Sequence, residues 1–282
     1  MKKIVIAVVV GPLLAAVLPA ASWGINPGAH IYVTGQVFES EDLDLLYGSI
    51  APDISLYVPD PVAWPTGFMD THYTYARLWP MGWEEDWKRF ALGWMVHNEE
   101  WGADYTAHIQ YPVGSGNPGY VVQKAAILAP FIPVPDPFLR MEIAHNAIEF
   151  AIDVLVQESM DPLLGVKLHV VNLSRSDRDI HGLFNVLVAR GKATDRDTLF
   201  QSEQVFREIV HLYSGALASS NLLDMAPLAQ VGAALAQELY GVDIPWTEVL
   251  ALLELSVWLC FDDFAPFIED TVQGIRDTLD AQ

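Results

Sequence analysis

The chain has 282 residues, a formal net charge of −21 and a single cysteine, Cys260. This length allows one large domain with a substantial core, and a lone cysteine excludes an internal disulfide, so stability must come from packing, supplemented by any bound metal. The negative charge excludes long-range attraction of polyanions, and we therefore expect no stable nucleic-acid partner.

The N-terminal segment has the pattern of a signal peptide. Two lysines precede a mostly apolar stretch at 4–18, and small residues follow at 20–22. The apolar stretch is shorter than the roughly 20 residues that span a bilayer. The small residues favour cleavage between Ser22 and Trp23, and cleavage one residue earlier is the alternative. We therefore expect residues 1–22 to be a signal peptide and the mature protein to be secreted or periplasmic.

Helical periodicity dominates the rest of the chain. Apolar residues recur every three or four positions in four segments, at 85–109, 139–160, 197–217 and 226–241. Almost no segment alternates apolar and polar residues as a half-buried strand does, so we predict an all-α fold. Loops rich in proline, glycine and aromatic residues are predicted at 57–70, 111–120 and 129–138.

A strongly apolar segment lies near the C-terminus, at 246–264. It carries Glu248 and Glu254, so we predict a buried helix rather than a membrane span. Cys260 falls in this apolar segment, and we expect its thiol to be an inert part of the core.

His145 and Glu149 give the strongest local indication of a metal site. The sequence HNAIE separates them by four residues, so on a helix both side chains lie on one face about a turn apart. This spacing suits two ligands of one ion. Many helices carry HxxxE by chance, and a solvated or hydrogen-bonded pair is the alternative interpretation.

A second group lies in the sequence HNEEWGADYTAH. At about 100° per residue along one helix, His97, Asp104 and His108 fall within an arc of roughly 40°. Apolar neighbours indicate a largely buried helix, where these groups need partners and a cation would serve all three; a polar stripe facing water is the alternative. Gly102 costs about 1 kcal/mol in a helix, so we expect a kink or a close backbone approach there.

Asp53 and His72 are two further candidates, and both are predicted to lie in loops. Asp53 follows a proline in GSIAPDI, and His72 lies two residues after Asp70 in DTHYTY. Taken alone, such an aspartate is usually a helix cap or a turn residue, and a lone histidine is usually structural.

In chain order, these residues resemble the zinc-dependent phospholipase C family of bacteria, whose fold is shared with single-strand-specific nucleases of plants and fungi. The shared order is a tryptophan after the leader, a histidine, PDI, a loop histidine, a His/Asp/His helix and a closing HxxxE. The resemblance implies an all-α, multi-helix phospholipase C/nuclease-like domain with long loops that binds up to three zinc ions.

The resemblance covers roughly residues 23–155 of this chain. We therefore expect a phospholipase C-like metal-binding region at 23–160 and a helical C-terminal region at 161–282, packed on the same domain. The histidines of that second region have no counterpart in the family pattern, and we expect them to be structural: His169, His181 and His211.

The resemblance implies three groups of zinc ligands. By position in the motif order they are Trp23 and His30 for one ion, Asp53, His72 and His97 for a second, and His108, His145 and Glu149 for a third. In the family, the N-terminal tryptophan binds through its backbone amine and carbonyl. Cleavage before Trp23 would therefore complete the metal site.

The family also uses one carboxylate to bridge two of its ions, commonly four residues after the histidine that matches His97. In this chain Trp101 occupies that position, which departs from the family pattern. Asp104, further along the same predicted helix face, is our candidate for the bridge. Glu100 is the alternative.

The implied activity is hydrolysis of phospholipid head groups, with a phospholipid, offered at a membrane surface, as the substrate. The zinc ions would activate a water molecule as hydroxide for attack on phosphorus and stabilise the developing charge, and Asp53 would orient or deprotonate the water. The alternatives are a zinc nuclease or phosphomonoesterase on the same fold, and a non-catalytic metal-binding structural protein.

Overall fold

The computed structural model describes residues 26–57, 64–73, 85–175, 177, 180–183 and 196–281. The predicted signal peptide and Trp23 lie outside these ranges. Within them the regular structure is helical and contains no strand, which confirms the predicted all-α fold.

The helices are α1 (Pro27–Phe38), α2 (Leu43–Ile50), α3 (Trp64–His72), α4 (Glu85–His97), α5 (Tyr120–Leu128), α6 (Pro137–Ser159), α7 (Leu164–Ser174), α8 (Arg196–Ala218), α9 (Ala226–Tyr240), α10 (Trp246–Cys260) and α11 (Phe264–Asp280). Short 3-10 helices form at Ala51–Tyr57 and Ala129–Phe131, and a π-helical turn forms at Tyr105–Ile109. Aspartates cap two of the helices. The side chain of Asp42 accepts a hydrogen bond at the start of α2, and that of Asp136 does so at the start of α6.

The long helix α6 lies at the centre of the fold. It contacts α1, α5, α7, α9, α10 and α11. Nearly every residue from Glu142 to Gln157 is buried. Polar side chains on a helix that is covered all round need partners inside the protein. On α6 the buried ionisable side chains are Glu142, His145, Glu149 and Asp153.

Three of the four predicted helices are confirmed, as α6, α8 and α9. The prediction of one continuous helix at 85–109 is wrong, because α4 ends at His97. Asn98 terminates it: its side-chain oxygen accepts hydrogen bonds from three successive amides, those of Glu100, Trp101 and Gly102, at 2.7, 2.8 and 3.2 Å. An asparagine that binds the backbone in this way competes with the helix.

The turn after α4 requires a glycine at position 102. A Cβ atom on Gly102 would lie 2.5 Å from the carbonyl oxygen of Val96 and 2.7 Å from that of Asn98. No side chain can be accommodated at these distances, so a larger residue would force the turn apart. The close backbone approach that the sequence predicts at this position is confirmed.

The prediction that Asp53 and His72 lie in loops is wrong. Asp53 lies in the 3-10 helix Ala51–Tyr57, and His72 is the last residue of α3. These two elements pack on each other, and the hydroxyl of Thr71 donates a hydrogen bond to Ser55 Oγ at 3.0 Å. The packing of these two segments on each other therefore outweighs the local preference of their prolines and glycines for loops.

The apolar segment at 246–264 forms α10 and the start of α11, but α10 is buried along one face only. Leu252, Leu253 and Cys260 are buried, whereas Trp258 is 72% exposed. Burial raises the pKa of Cys260 to about 12, which keeps the thiol protonated and unreactive at neutral pH. Among the described residues, no helix is both long enough and apolar enough to cross a membrane.

Candidate metal centre

Eight of the nine ligands that the sequence predicts lie in the described part of the chain, and the structure brings all eight together in one cluster. They belong to α1, the first 3-10 helix, α3, α4, the segment around the π-helical turn, and α6. Their donor atoms form groups in which all atoms lie within 4.8 Å of one another: His30, His97 and Asp104; Asp53, His72 and His97; and His108, His145 and Glu149. A fourth such group contains Glu99, Asp104 and His108. These groups have the composition and spacing to bind metal ions.

Asp104 lies between the first two groups. Its Oδ1 atom is 3.2 Å from His30 Nε2, and its Oδ2 atom is 3.1 Å from His97 Nε2. The same Oδ2 atom lies 3.7 Å from His72 Nε2. A carboxylate with one oxygen directed at each group has the geometry to bridge two ions. Glu100, the alternative bridge, is exposed and belongs to none of the groups.

Asp53 faces two imidazoles. Its Oδ1 atom is 3.5 Å from both His72 Nε2 and His97 Nε2, and these two nitrogens are 3.1 Å apart. Burial acts to raise the pKa of Asp53, but His97 and His72 outweigh it and lower the pKa to about 2. Asp53 is therefore a carboxylate at neutral pH, as a metal ligand or a proton acceptor must be.

The third group is centred on Glu149. Its Oε1 atom is 2.7 Å from His145 Nε2 and 3.5 Å from His108 Nε2. His145 and Glu149 lie one turn apart on the same face of α6, which is the geometry that HNAIE predicts. Burial raises the pKa of Glu149 well above its ordinary value, although His108 opposes this shift. A cation beside Glu149 would stabilise its ionised form.

Glu99 is a member of the cluster that sequence reasoning missed. Its Oε1 atom lies 3.3 Å from His108 Nδ1, and its Oε2 atom accepts a hydrogen bond from the Tyr73 hydroxyl at 2.5 Å. On one continuous helix, Glu99 would point about 200° away from His97. The end of α4 at His97 removes that constraint. In the sequence, only the position of Glu99 next to Asn98, a residue that favours helix ends, indicated that Glu99 could face the cluster.

Two of the imidazoles are oriented by hydrogen bonds on the side away from the cluster. His97 Nδ1 lies 2.7 Å from the carbonyl oxygen of Ser49. His72 Nδ1 lies 2.7 Å from Thr71 Oγ1 and 3.2 Å from the carbonyl oxygen of Phe68. With Nδ1 held in this way, Nε2 of each ring faces the other ligands. Metal-binding histidines in proteins usually have such a partner on the second nitrogen.

Several buried donor atoms of the cluster lack a hydrogen-bond partner within the described ranges. They are His30 Nδ1, His108 Nε2, Asp53 Oδ1 and Glu149 Oε2. Leaving a buried polar atom unsatisfied costs about 1–3 kcal/mol. Cations placed in the groups would satisfy these atoms together, so the residues present fit bound metal.

The carboxylates give the cluster a strong affinity for positive charge. Burial lowers the pKa of His97, but Asp104 and Asp53 outweigh it and hold that pKa well above the ordinary value. At His108 burial is likewise outweighed, by Glu149 and Glu99, and the pKa is about 9. His30 behaves differently, because burial and His97 together lower its pKa. The field at the centre of the cluster therefore favours cations.

Asp153 holds α1, and with it His30, against α6. Its Oδ1 atom accepts a hydrogen bond from the Ala29 amide at 2.6 Å. Its Oδ2 atom accepts from the Gly28 amide at 3.0 Å and from the Tyr213 hydroxyl at 2.7 Å. A Cβ atom on Gly28 would overlap this carboxylate, so glycine permits the contact. Asp153 thus caps the first turn of the helix that carries His30.

Replacing Asp153 by alanine is expected to destabilise the protein and displace His30. Three donors would lose their acceptor, two of them amides of α1, so we expect the free energy of unfolding to fall by about 3 kcal/mol. Urea unfolding of D153A measures this change, with the exposed Asp262→Ala as the matched control. A loss below about 1 kcal/mol would show that Asp153 does not hold α1.

The histidines of the C-terminal region lie outside these groups. His169 Nδ1 is 3.2 Å from Ser214 Oγ, and the rings of His169 and His211 lie 4.9 Å apart. His181 packs edge-on against Phe200. None of the three belongs to a group of candidate ligands among the described residues.

The chain matches no protein-family model, no curated protein and no solved structure.

Proposed function

We propose that this protein is an exported, zinc-dependent phosphodiesterase that hydrolyses phospholipid head groups in the manner of phospholipase C. The observation that carries the proposal is the convergence of eight residues in one buried cluster. Seven of them were chosen from motif order and Asp104 from its place on the predicted helix face. These residues are spread along the chain from position 30 to position 149. The reaction class comes from the resemblance of the motifs to the zinc-dependent phospholipase C family.

The donor set favours zinc over calcium. Five imidazoles contribute to the groups, whereas calcium prefers six to eight oxygen ligands at about 2.3–2.6 Å. With bonds of about 2.0–2.1 Å, two ligands of a tetrahedral zinc lie roughly 3.3 Å apart. Five donor separations within the first two groups are 3.1–3.5 Å. The arrangement supports up to three ions, and the two oxygens of Asp104 would serve two of the ligand groups.

The residues of the cluster have distinct tasks in this proposal. When bound, zinc supplies Lewis-acid activation of water and of the phosphoryl group. Asp53, ionised at neutral pH, orients a water molecule or takes its proton at Oδ1. Asp104 sets the separation of the first two groups through its two oxygens. Glu99, held by the Tyr73 hydroxyl, fixes the ring of His108.

The charge of the chain favours a lipid substrate over a nucleic acid. At −21 the protein repels a polyanion at long range, and single-strand binding depends strongly on attraction of the phosphates. A phospholipid with a zwitterionic head group carries no net charge to be repelled. Because only the polyanion is repelled, a phospholipid is the favoured substrate over single-stranded DNA.

The experiment that tests the proposal measures diacylglycerol release from phosphatidylcholine vesicles. We expect release by the purified protein, complete loss after chelation and recovery when zinc is added back. A zinc-loaded protein that is inactive on every phospholipid offered would contradict the proposal. Cleavage of single-stranded DNA by that same preparation would identify a nuclease instead.

A further inference from the structure

An apolar cavity adjoins the metal cluster. Its walls are mainly apolar side chains of α6, α8, α9 and α10, including Phe150, Phe206, Ala236 and Leu252. It contains about 910 Å³ of empty space, part of it open to solvent. Walls of this composition suit a hydrocarbon group.

The cavity also has polar walls, and they belong to the metal cluster. Asp53 lines the cavity and is a member of the second ligand group. Asn26, also in the wall, lies one turn before His30, and its carbonyl accepts the His30 amide at 3.3 Å. Each of Asn26 and Asp53 is 6% exposed. Asn26 Nδ2 and Asp53 Oδ1 have no hydrogen-bond partner in the part of the chain that the structure describes.

Small residues of α9 keep the cavity open. Gly232 and Ala236 lie four residues apart, so they share one face of the helix, and both line the cavity. Protein interiors are normally packed to crystal density, and an apolar space left unfilled is destabilising. An apolar space that ends at buried polar atoms has the chemistry of a site for an amphiphile.

We propose that this cavity binds one hydrocarbon chain of the phospholipid whose phosphate lies at the metal cluster. The proposal rests on the proposed function and adds the part of the substrate that the cluster itself does not recognise. Each methylene that leaves water strengthens binding roughly fourfold, so affinity should rise with the length of the hydrocarbon chain that the apolar walls contact. In this proposal, helices α8, α9 and α10 determine which hydrocarbon chains the protein accepts.

The test compares two phosphatidylcholines offered as dissolved monomers, one with dibutanoyl and one with diheptanoyl chains. In the wild-type protein we expect kcat/KM to be at least tenfold higher for the longer chains. The variant Ala236→Phe fills the cavity, and we expect this ratio to fall at least tenfold. Ala234→Phe makes the same change at an exposed position of α9 outside the cavity, and we expect the wild-type ratio. A ratio that persists in folded A236F would overturn the proposal.

A binding measurement separates this proposal from the proposed function. The fluorescent fatty acid cis-parinaric acid is titrated into wild-type protein and both variants, and dodecylphosphocholine is added as competitor. We expect binding to the wild type and to Ala234→Phe, and at least tenfold weaker binding to Ala236→Phe. If A236F does not fold, Leu239→Trp, at a partly exposed wall position, replaces it. Binding without hydrolysis would reject only the enzyme, and no binding by the wild type would reject the cavity site.

Discussion

The variant His97→Ala is expected to lose the zinc of the second ligand group, which contains Asp53 and His72, and to lose hydrolysis. His97 Nε2 lies 3.1 Å from both His72 Nε2 and Asp104 Oδ2, at the centre of the cluster, and its one lone pair is available to a metal ion. Loss of a residue that merely supports a ligand costs about 10–100-fold. Loss of a direct ligand should cost more, and we expect hydrolysis to fall at least about 1,000-fold. Zinc per chain and the rate of diacylglycerol release are the two readouts.

A matched control for this variant is His169→Ala. His169 is a partly buried histidine on α7, remote in sequence from the cluster, and belongs to none of the ligand groups. We expect it to keep the zinc content and rate of the wild type. If H97A folds with unchanged helical content, keeps all its zinc and hydrolyses lipid within tenfold of wild type, the ligand assignment of His97 is wrong.

The second large effect is expected at the N-terminus. A protein that retains even one residue before Trp23 should bind one zinc fewer, because an α-amine that is still part of a peptide bond cannot act as a ligand. The resemblance to the phospholipase C family assigns this ion to Trp23 and His30. Of the two, only His30 lies in the described part of the chain: its Nδ1 atom lacks a hydrogen-bond partner there, and its Nε2 atom lies 3.2 Å from Asp104 Oδ1.

The comparison uses two preparations that differ by one N-terminal alanine, each verified by intact mass. We expect the extended form to lose at least about 100-fold in rate, because the first ligand group would lack a complete set of ligands. Full metal content and full activity in the extended form would show that the N-terminal amine is not a ligand.

The fold was predictable where local periodicity and tertiary packing agree. Helices α6, α8 and α9 have apolar residues at helical spacing over their whole length, and they form within a few residues of the predicted ends. Prediction failed where a single contact decides the backbone. Asn98 ends α4 by binding three amides, and α3 forms where prolines and glycines suggested a loop.

The candidate site was predictable as a set of residues but not as an arrangement. Motif order identified seven of the eight described candidates because each occupies a distinctive place in the chain, such as HNAIE or PDI. Asp104 was chosen from its place on the predicted helix face, because Trp101 occupies the family's bridging position. Glu99 was missed because its inward direction depends on the break after His97. Asp153 was missed because the sequence around a single carboxylate in an apolar helix does not indicate which group it contacts. In the structure that group is the first turn of α1.

The apolar cavity could not be predicted for a related reason. Gly232 and Ala236 are ordinary small residues in a helical pattern, and only the packing of α9 against α6 and α10 decides that they border empty space. Their spacing shows that they share a face. It does not show what that face meets.

The most direct test of the central claim is native mass spectrometry of the secreted protein, which reports its N-terminal residue and its metal content together. We predict a mature chain that starts at Trp23 and carries close to three zinc ions. A chain that carries no zinc, or that carries calcium alone, would contradict the claim that these imidazoles and carboxylates form a zinc centre.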